Sequence, residues 1–380
     1  MSNGFCPALL VNINDVAQGN APGKKMQIAG FLAALFCCEN SSVSILQGQF
    51  DRNTIRPMTV KYSPRPTLND VSYTDTCDVD RQPGYNEWTI NAPGFVSSSF
   101  YISDETMNQY CIDAQATQSI GQPPTQVMKE IYDRIVETAN ILLKAINVDL
   151  LTQMSTHFGK NVTTGHSTGK IININTDGTK VILDNGIVEM MRDVQENEIC
   201  EDPCFVGGGL WESWNQAKIL SCCASNGLDM SKTPGVNSFF DKDTNSIWGT
   251  NSVGMFAPGS VKFLGRNIYT GAGAGEKGGS IFTTFLLPVN EFGCNLDSCL
   301  QDLKFDLQLK YIDCPTEILI NGQETTVDRG WVAIVSKRYA LWVQPTNAYS
   351  SADELYGTNG TLKYFITNDA ATTAPYDLYY

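Results

Sequence analysis

The chain has 380 residues, 40 acidic against 26 basic side chains and a formal net charge of −14. That balance excludes a nucleic-acid reader, whose affinity rests on clustered Lys and Arg. The length allows two or three core-forming units, and 32 Gly with 16 Pro fit a turn-rich, largely β protein.

The N-terminus, Met1-Ser2-Asn3-Gly4-Phe5-Cys6, lacks a basic region and a cleavage site, so it is not read as a secretory signal. The apolar run Ile28 to Cys38 is too short to span a membrane and predicts a short packing helix over Lys25 to Cys38. Residues 1–43 are read as an N-terminal arm carrying that helix. Ile55 to Tyr62, Glu87 to Ile90 and Phe95 to Ile102 look extended, and the polar, Pro-rich stretch Ser63 to Tyr85 lies between the first two. Residues 44–104 therefore read as a long two-stranded ribbon with an irregular tip. Such a ribbon has too little hydrophobic face to be stable alone, so it either folds back on its own domain or lies on a neighbouring subunit.

After Pro123-Pro124 comes the strongest signal of the chain. Met128, Ile131, Tyr132, Ile135, Ala139, Leu142, Leu143, Ile146, Leu150 and Met154 recur at steps of three and four. This is one apolar stripe at the helical period, and it predicts a helix from about Thr125 to about Phe158, roughly 50 Å long. Lys129, Asp133, Glu137 and Lys144 mark its polar face. A strut of that length exceeds the usual three or four turns of a globular helix.

Beyond it, Gly169 to Leu183 reads as a hairpin around Asp177-Gly178. An α/β stretch follows: helix Gly186 to Glu196, strand Cys204 to Val206, helix Leu210 to Cys223 and strand Val236 to Phe240. Strands follow at Val253 to Phe256, Ser260 to Tyr269, Ser280 to Leu287, Leu303 to Tyr311, Glu317 to Ile320 and Gly330 to Val343, before a polar tail. The spine's stripe is expected to face Leu303 to Tyr311 and Gly330 to Val343.

Few residues invite chemistry. Gly273, Gly275 and Gly278 satisfy G-x-G-x-x-G, but a strand follows where a dinucleotide site needs a helix N-terminus, so Gly271 to Gly279 reads as a loop between strands. Gly207-Gly208-Gly209 between strand and helix has no nucleophile and base beside it. Asp241, Asp243 and Asn245 resemble the start of a calcium loop, but Ser246 stands where Gly is required and Ser252 where Glu is required. Cys200 and Cys204 with Cys222-Cys223 fit zinc only loosely, with Pro203 inside the first knuckle. The twelve cysteines are expected to be reduced thiols in a cytosolic setting. His157 and His166 are the only histidines, which leaves little room for a Ser/His/Asp or Cys/His triad. The Asn40, Asn161 and Asn359 sequons are read as chance matches. No catalytic, cofactor or metal site is expected, and the chain is not read as an enzyme.

The order of elements, together with Val60-Lys61-Tyr62 and Pro64-Arg65, Met255-Phe256-Ala257-Pro258-Gly259-Ser260-Val261, and Asp306-Leu307 with Lys310-Tyr311-Ile312-Asp313-Cys314, resembles the major capsid proteins of tailed double-stranded DNA bacteriophages. The resemblance implies an α+β capsid fold with a spine helix packed on a β-sheet in a peripheral (P) domain, a mixed α/β axial (A) domain and an extended E-loop. It implies these divisions: arm 1–43, E-loop 44–104, P domain with spine helix 105–168, A domain 169–302, and a return to the P domain with a C-terminal tail over 303–380. It implies self-assembly as hexamers and pentamers into an icosahedral shell around packaged DNA bound without sequence specificity. Portal, decoration or scaffold proteins would be partners, and the setting would be the virion, with the host cytoplasm during assembly. No coiled-coil scaffolding segment stands out near the start, so a separate scaffold or none is implied. The family's Lys–Asn cross-linking trio cannot be placed by motif. Arg56 and Arg65 in the ribbon are candidate partners for acidic groups of a neighbour, and Asp75, Asp78 and Asp80 for basic ones. Two other readings stay open: another virion protein of tail or decoration type, and a β-rich glycan-binding or glycan-cleaving protein using Trp88, Trp211, Trp214, Trp248, Trp331 and Trp342.

Overall fold

The computed structural model describes residues 24–37, 43–45, 58–62, 86–90, 94–120, 126–159, 170–173, 185–196, 202–213, 215, 237–269, 275–287, 289, 303–313, 315–320, 323–345 and 359–367. These form an α+β structure built on two sheets and one long helix.

That helix, the spine, spans Gln126–Ser155, 30 residues or about 45 Å. All ten stripe residues are buried, and Val136, Thr138 and Leu151 join them. Lys129, Glu137 and Lys144 are exposed and Asp133 is partly covered. Its last turn is closed by His157, whose Nδ1 lies 2.8 Å from the Gln153 carbonyl, an orphan acceptor of the helix end.

The stripe packs on one face of a six-stranded sheet. In chain order its strands are β4 (Gly94–Ser103), β9 (Val261–Arg266), β10 (Gly275–Lys277), β11 (Ser280–Phe285), β12 (Phe305–Ile312) and β15 (Gly330–Val343). The order across the sheet is β10-β11-β12-β15-β4, all antiparallel. β12 pairs with β15 from Gly330 to Ser336, and β9 takes over the same edge from Arg338 to Val343. Leu303, Phe305, Leu307, Leu309, Ala333, Val335 and Tyr339 share one core with the stripe, as expected for the returning strands.

The second sheet has the order β5-β16-β8-β6-β7, with β5 (Lys170–Asn173), β6 (Cys204–Gly207), β7 (Asn237–Phe240), β8 (Ser252–Phe256) and β16 (Thr361–Thr367). One face, with Phe205, Val253, Met255, Leu362, Tyr364 and Ile366, meets the helix Asn185–Glu196 through Met190 and Val194. Val206 and Phe256 on the other face join the spine's core.

Helix α1 (Gly30–Cys37) is buried from Gly30 to Phe36 and sits between the spine and both sheets. It is shorter than the predicted helix, because the chain at Gly30 takes φ +65 where Asp241 presses against it.

Several expectations need correction. Helix α2 (Asp104–Ile120) precedes the spine and was not foreseen. The ribbon has three strands, β1 (Val43–Ile45), β2 (Met58–Tyr62) and β3 (Asn86–Ile90), and β4 belongs instead to the large sheet. The polar tail contains β16, which lies in the second sheet between β5 and β8. β5 pairs in parallel with β16; Asp177-Gly178 and the rest of the predicted hairpin lie outside the described residues. The glycine-rich stretch is not all loop: Gly275–Lys277 is β10, and Gly278 and Gly279, both at positive φ, form a two-residue turn between Lys277 and Ser280. That is the type I′ geometry that suits twisted hairpin strands. The reduced-thiol expectation fails at Cys37 and Cys204, which are both disulfide-bonded. Cys111 is free.

Candidate assembly surfaces

Short polar segments tie the spine to its surroundings, and they set the rigidity of any surface built on it. Asp241 follows β7. Its Oδ2 accepts the Phe31 amide at 2.9 Å and the Asn147 side-chain amide at 2.7 Å. Its Oδ1 accepts the Asp243 amide. Asn147 in turn accepts the Leu32 amide at 2.9 Å. A carboxylate at the N-terminus of α1 satisfies amides that have no intrahelical partner and complements the helix dipole. This is a structural joint, where the sequence pattern had suggested the start of a calcium loop. Among the described residues no group of three or more metal-ligating side chains occurs.

Two residues further along the spine, Tyr339 of β15 donates to Asp149 Oδ2 at 2.6 Å, and Gln153 donates to the same oxygen. Burial, followed by this carboxylate, pushes the Tyr339 hydroxyl well above its ordinary range. Tyr132 is pushed up to about 12, chiefly by burial. Near the start of the described chain, Lys24 pairs with Glu137 on the spine.

The gap between β12 and β9 is closed from within. The Lys337 ammonium is almost fully buried and donates to the Lys304 carbonyl at 2.6 Å and to Asn267. Asp306 accepts from the Ile268 and Tyr269 amides and from the Thr284 hydroxyl. Burial raises its pKa, and those donors oppose the rise. At the far end of the sheet Arg329 pairs with Asp104, whose carboxylate also accepts from the Tyr311 hydroxyl.

The ribbon is held differently. β2 and β3 pair in register from Met58↔Ile90 to Tyr62↔Asn86, with Lys61 3.3 Å from Glu87. Glu87, Trp88 and Thr89 are consecutive and all exposed. Successive strand residues point to opposite faces, so neither face of β3 is covered here. Trp88 alone is 45% exposed. The sequence-derived contact candidates Arg56, Arg65, Asp75, Asp78 and Asp80 lie outside the described residues.

Other sequence candidates fall into the framework. Trp211, Trp248 and Trp342 are buried, which removes them as glycan platforms; Trp214 lies outside the described residues. A Cβ on Gly207 would strike Trp211, and one on Gly208 would strike Asn245, so these glycines serve close packing. The Asn359 side chain is buried, donating to the His157 carbonyl and accepting from Thr361. Asn40, Asn161 and His166 lie outside the described residues. Among the described residues no helix is long and apolar enough to cross a membrane.

No protein-family model matches the chain, and no curated protein is similar to it. Solved structures are. The cyanophage A-1(L) capsid asymmetric unit is 11% identical, with 92% of this chain and 95% of that chain covered, at a TM-score of 0.45. A Mycobacterium phage Cain structure is 12% identical over 98% and 96%, at 0.40. The capsid of cyanophage P-SCSP1u is 10% identical over 92% of each chain, at 0.38.

Proposed function

We propose that the chain is a structural virion protein, the major capsid subunit of a tailed double-stranded DNA bacteriophage. Its copies join as hexamers and pentamers into an icosahedral shell around the genome. The observation that carries this reading is the ribbon. It hangs from the first strand of the large sheet, Glu87, Trp88 and Thr89 of its β3 are exposed on both faces, and none of its described residues joins a buried core. A three-stranded ribbon of that kind needs a second surface to be stable, and a neighbouring copy provides one. The spine, clamped at Lys24, Asn147 and Asp149, gives the rigid frame against which such contacts add up. Many weak contacts close a shell through multivalency rather than through one tight interface.

In this reading residues 1–43 are the arm, the ribbon within 44–104 is the E-loop, residues 105–168 carry the spine, residues 169–302 form the A domain, and 303–380 return to the P domain with a tail. Residues 361–367 cross back to the A-domain sheet. Arg56, Arg65, Asp75, Asp78 and Asp80 are contact residues on the ribbon. The subunit is not an enzyme, needs no cofactor, and meets packaged DNA without reading its sequence. The surplus of carboxylates suits an inner wall that must not hold DNA tightly. Portal, decoration or scaffold proteins are its further partners, in the host cytoplasm during assembly and in the virion afterwards. The 30-residue spine weighs against the tail reading, since a tail-tube subunit would be mostly β without it.

Deleting residues 63–85 tests the ribbon's role. The reading expects a folded subunit, with its circular-dichroism spectrum and melting curve preserved, that no longer builds shells. Normal shells from the deletion variant would refute the E-loop assignment.

A further inference from the structure

The large sheet covers its spine side; its other side is capped at one end, where Val332 and Ile334 pack with Ile318, Ile320 and Val327 of the hairpin β13 (Thr316–Ile320) and β14 (Gln323–Val327), and is barer around Phe95 and Ser97. Along β15, Ala333, Val335 and Tyr339 enter the core with the spine, so Ile334, Ser336 and Arg338 project from the opposite face. Across the same row Arg338 stands between Phe95 of β4 and Arg266 of β9. Phe95 is 55% exposed, with the Arg338 guanidinium 5.1 Å from its ring centre. Ser97 is exposed, and Ser99, Phe282, Gln308 and Ile334 are only partly covered.

Arg338 is poorly served where it sits. Its Nε is buried with no hydrogen-bond partner. Its cross-strand neighbour is another arginine, Arg266, whose own pKa is lowered by burial and then by Arg338. The nearest carboxylate in the sheet, Asp306, has both oxygens taken up by the Ile268 and Tyr269 amides and by Thr284. A guanidinium presents a planar fork matched to a carboxylate. Half-desolvated and beside a like charge, it is unfavourable until an anion arrives.

We propose that Arg338 is the seat of an inter-subunit contact, in which the barer part of the large sheet's other side takes an acidic segment of a second copy of this chain. The carboxylate satisfies Arg338, and the apolar part of the segment lies on Phe95. This rests on the shell reading above. The chain's own β3 is a poor occupant, because Glu87, Trp88 and Thr89, just before β4, are all exposed. A second copy suits the charge: the chain carries 40 acidic residues against 26 basic ones.

The test uses Arg338→Lys, which keeps the positive charge and supplies an amine. Shells are assembled from a mixture of unlabelled and nitrogen-15-labelled copies and treated with a carbodiimide, which joins an amine to a touching carboxylate without a spacer. The proposal expects peptides linking Lys at 338 to an Asp or Glu with one light and one heavy partner. Purely same-label links, or none in well-formed shells, would overturn it. If the unmutated chain forms no shells at all, the shell reading fails first and takes this premise with it. Arg338→Ala gives a second readout. It relieves the arginine pair, so the subunit melts no lower than the parent, while the concentration needed for assembly rises about tenfold. A lower melting point with unchanged assembly would count against the proposal. So would weakened binding of linear double-stranded DNA with assembly intact, because the acceptor would then be a phosphate.

Discussion

Asn147 of the spine donates to Asp241 at 2.7 Å, and the same carboxylate oxygen accepts the Phe31 amide that opens α1. One acidic side chain thus joins the spine, the buried N-terminal helix and the end of β7. The first prediction follows from its burial. Asp241→Ala should cost the isolated subunit about 3 kcal/mol in urea unfolding, since it leaves buried donors of charge-assisted bonds without acceptors. Gly30→Ala should cost about 2 kcal/mol or more by the same measurement, because the new Cβ would fall against the Asp241 carboxylate at a positive φ. If both variants unfold within 0.5 kcal/mol of the parent, an order-of-magnitude bound for neutral surface changes, the joint has been misread.

Alkaline pH should weaken the subunit through Tyr132 and Tyr339. Both hydroxyls are raised from 10.0, so the folded chain keeps their protons after the unfolded chain has begun to lose them. Their contribution is therefore whole below pH 10 and shrinks as pH rises above it. Between pH 9 and pH 11 Tyr132→Phe should remove about 1 kcal/mol of the parent's loss of stability. Identical pH profiles for the variant and the parent would contradict this.

Trp88→Ala should leave the melting temperature of the unassembled subunit unchanged, because the side chain is exposed and both faces of β3 are bare. Shell yield, followed by light scattering, should fall. A clear drop in subunit stability with normal shells would mean that the tryptophan packs within its own chain.

Thiol titration of the denatured, unreduced chain should find fewer than twelve reactive cysteines, since Cys37 and Cys204 are disulfide-bonded. Reductant should lower stability by about 2–4 kcal/mol for each bridge lost. A full complement of twelve free thiols would contradict the disulfides.

Much of the frame was legible in the sequence, and for a physical reason. Met128 to Met154 repeats at the helical period without Pro or Gly, and all ten stripe residues are buried. β15 runs over Gly330–Val343, the strand read there from the sequence. What escaped lacked such a period. α2 is mostly polar, with Met107 and Tyr110 buried among its described side chains; its available signal was local, in Ser103, whose hydroxyl accepts the Thr106 amide, followed by Asp104 and Glu105. β16 did carry one, since Leu362, Tyr364 and Ile366 alternate and are buried, but the polar residues around them masked it.

The site-level features were harder to see, because each depends on residues far apart in the chain. Arg266 and Arg338 become neighbours only because β9 and β12 share one edge of β15, and Lys337 fills the break that this sharing leaves. Asp241 looked like the first ligand of a calcium loop because its local string is Asp-x-Asp-x-Asn. Its partners, Phe31 and Asn147, come from helices far away in sequence. The disulfides could not be inferred from twelve cysteines without a spacing rule.

The central claim, that copies of this chain build a shell, is tested most directly by electron microscopy of the purified full-length protein. The account predicts icosahedral particles, or free hexamers and pentamers that convert to them as concentration rises. A protein that stays monomeric at every concentration, and turns over a substrate, would contradict it.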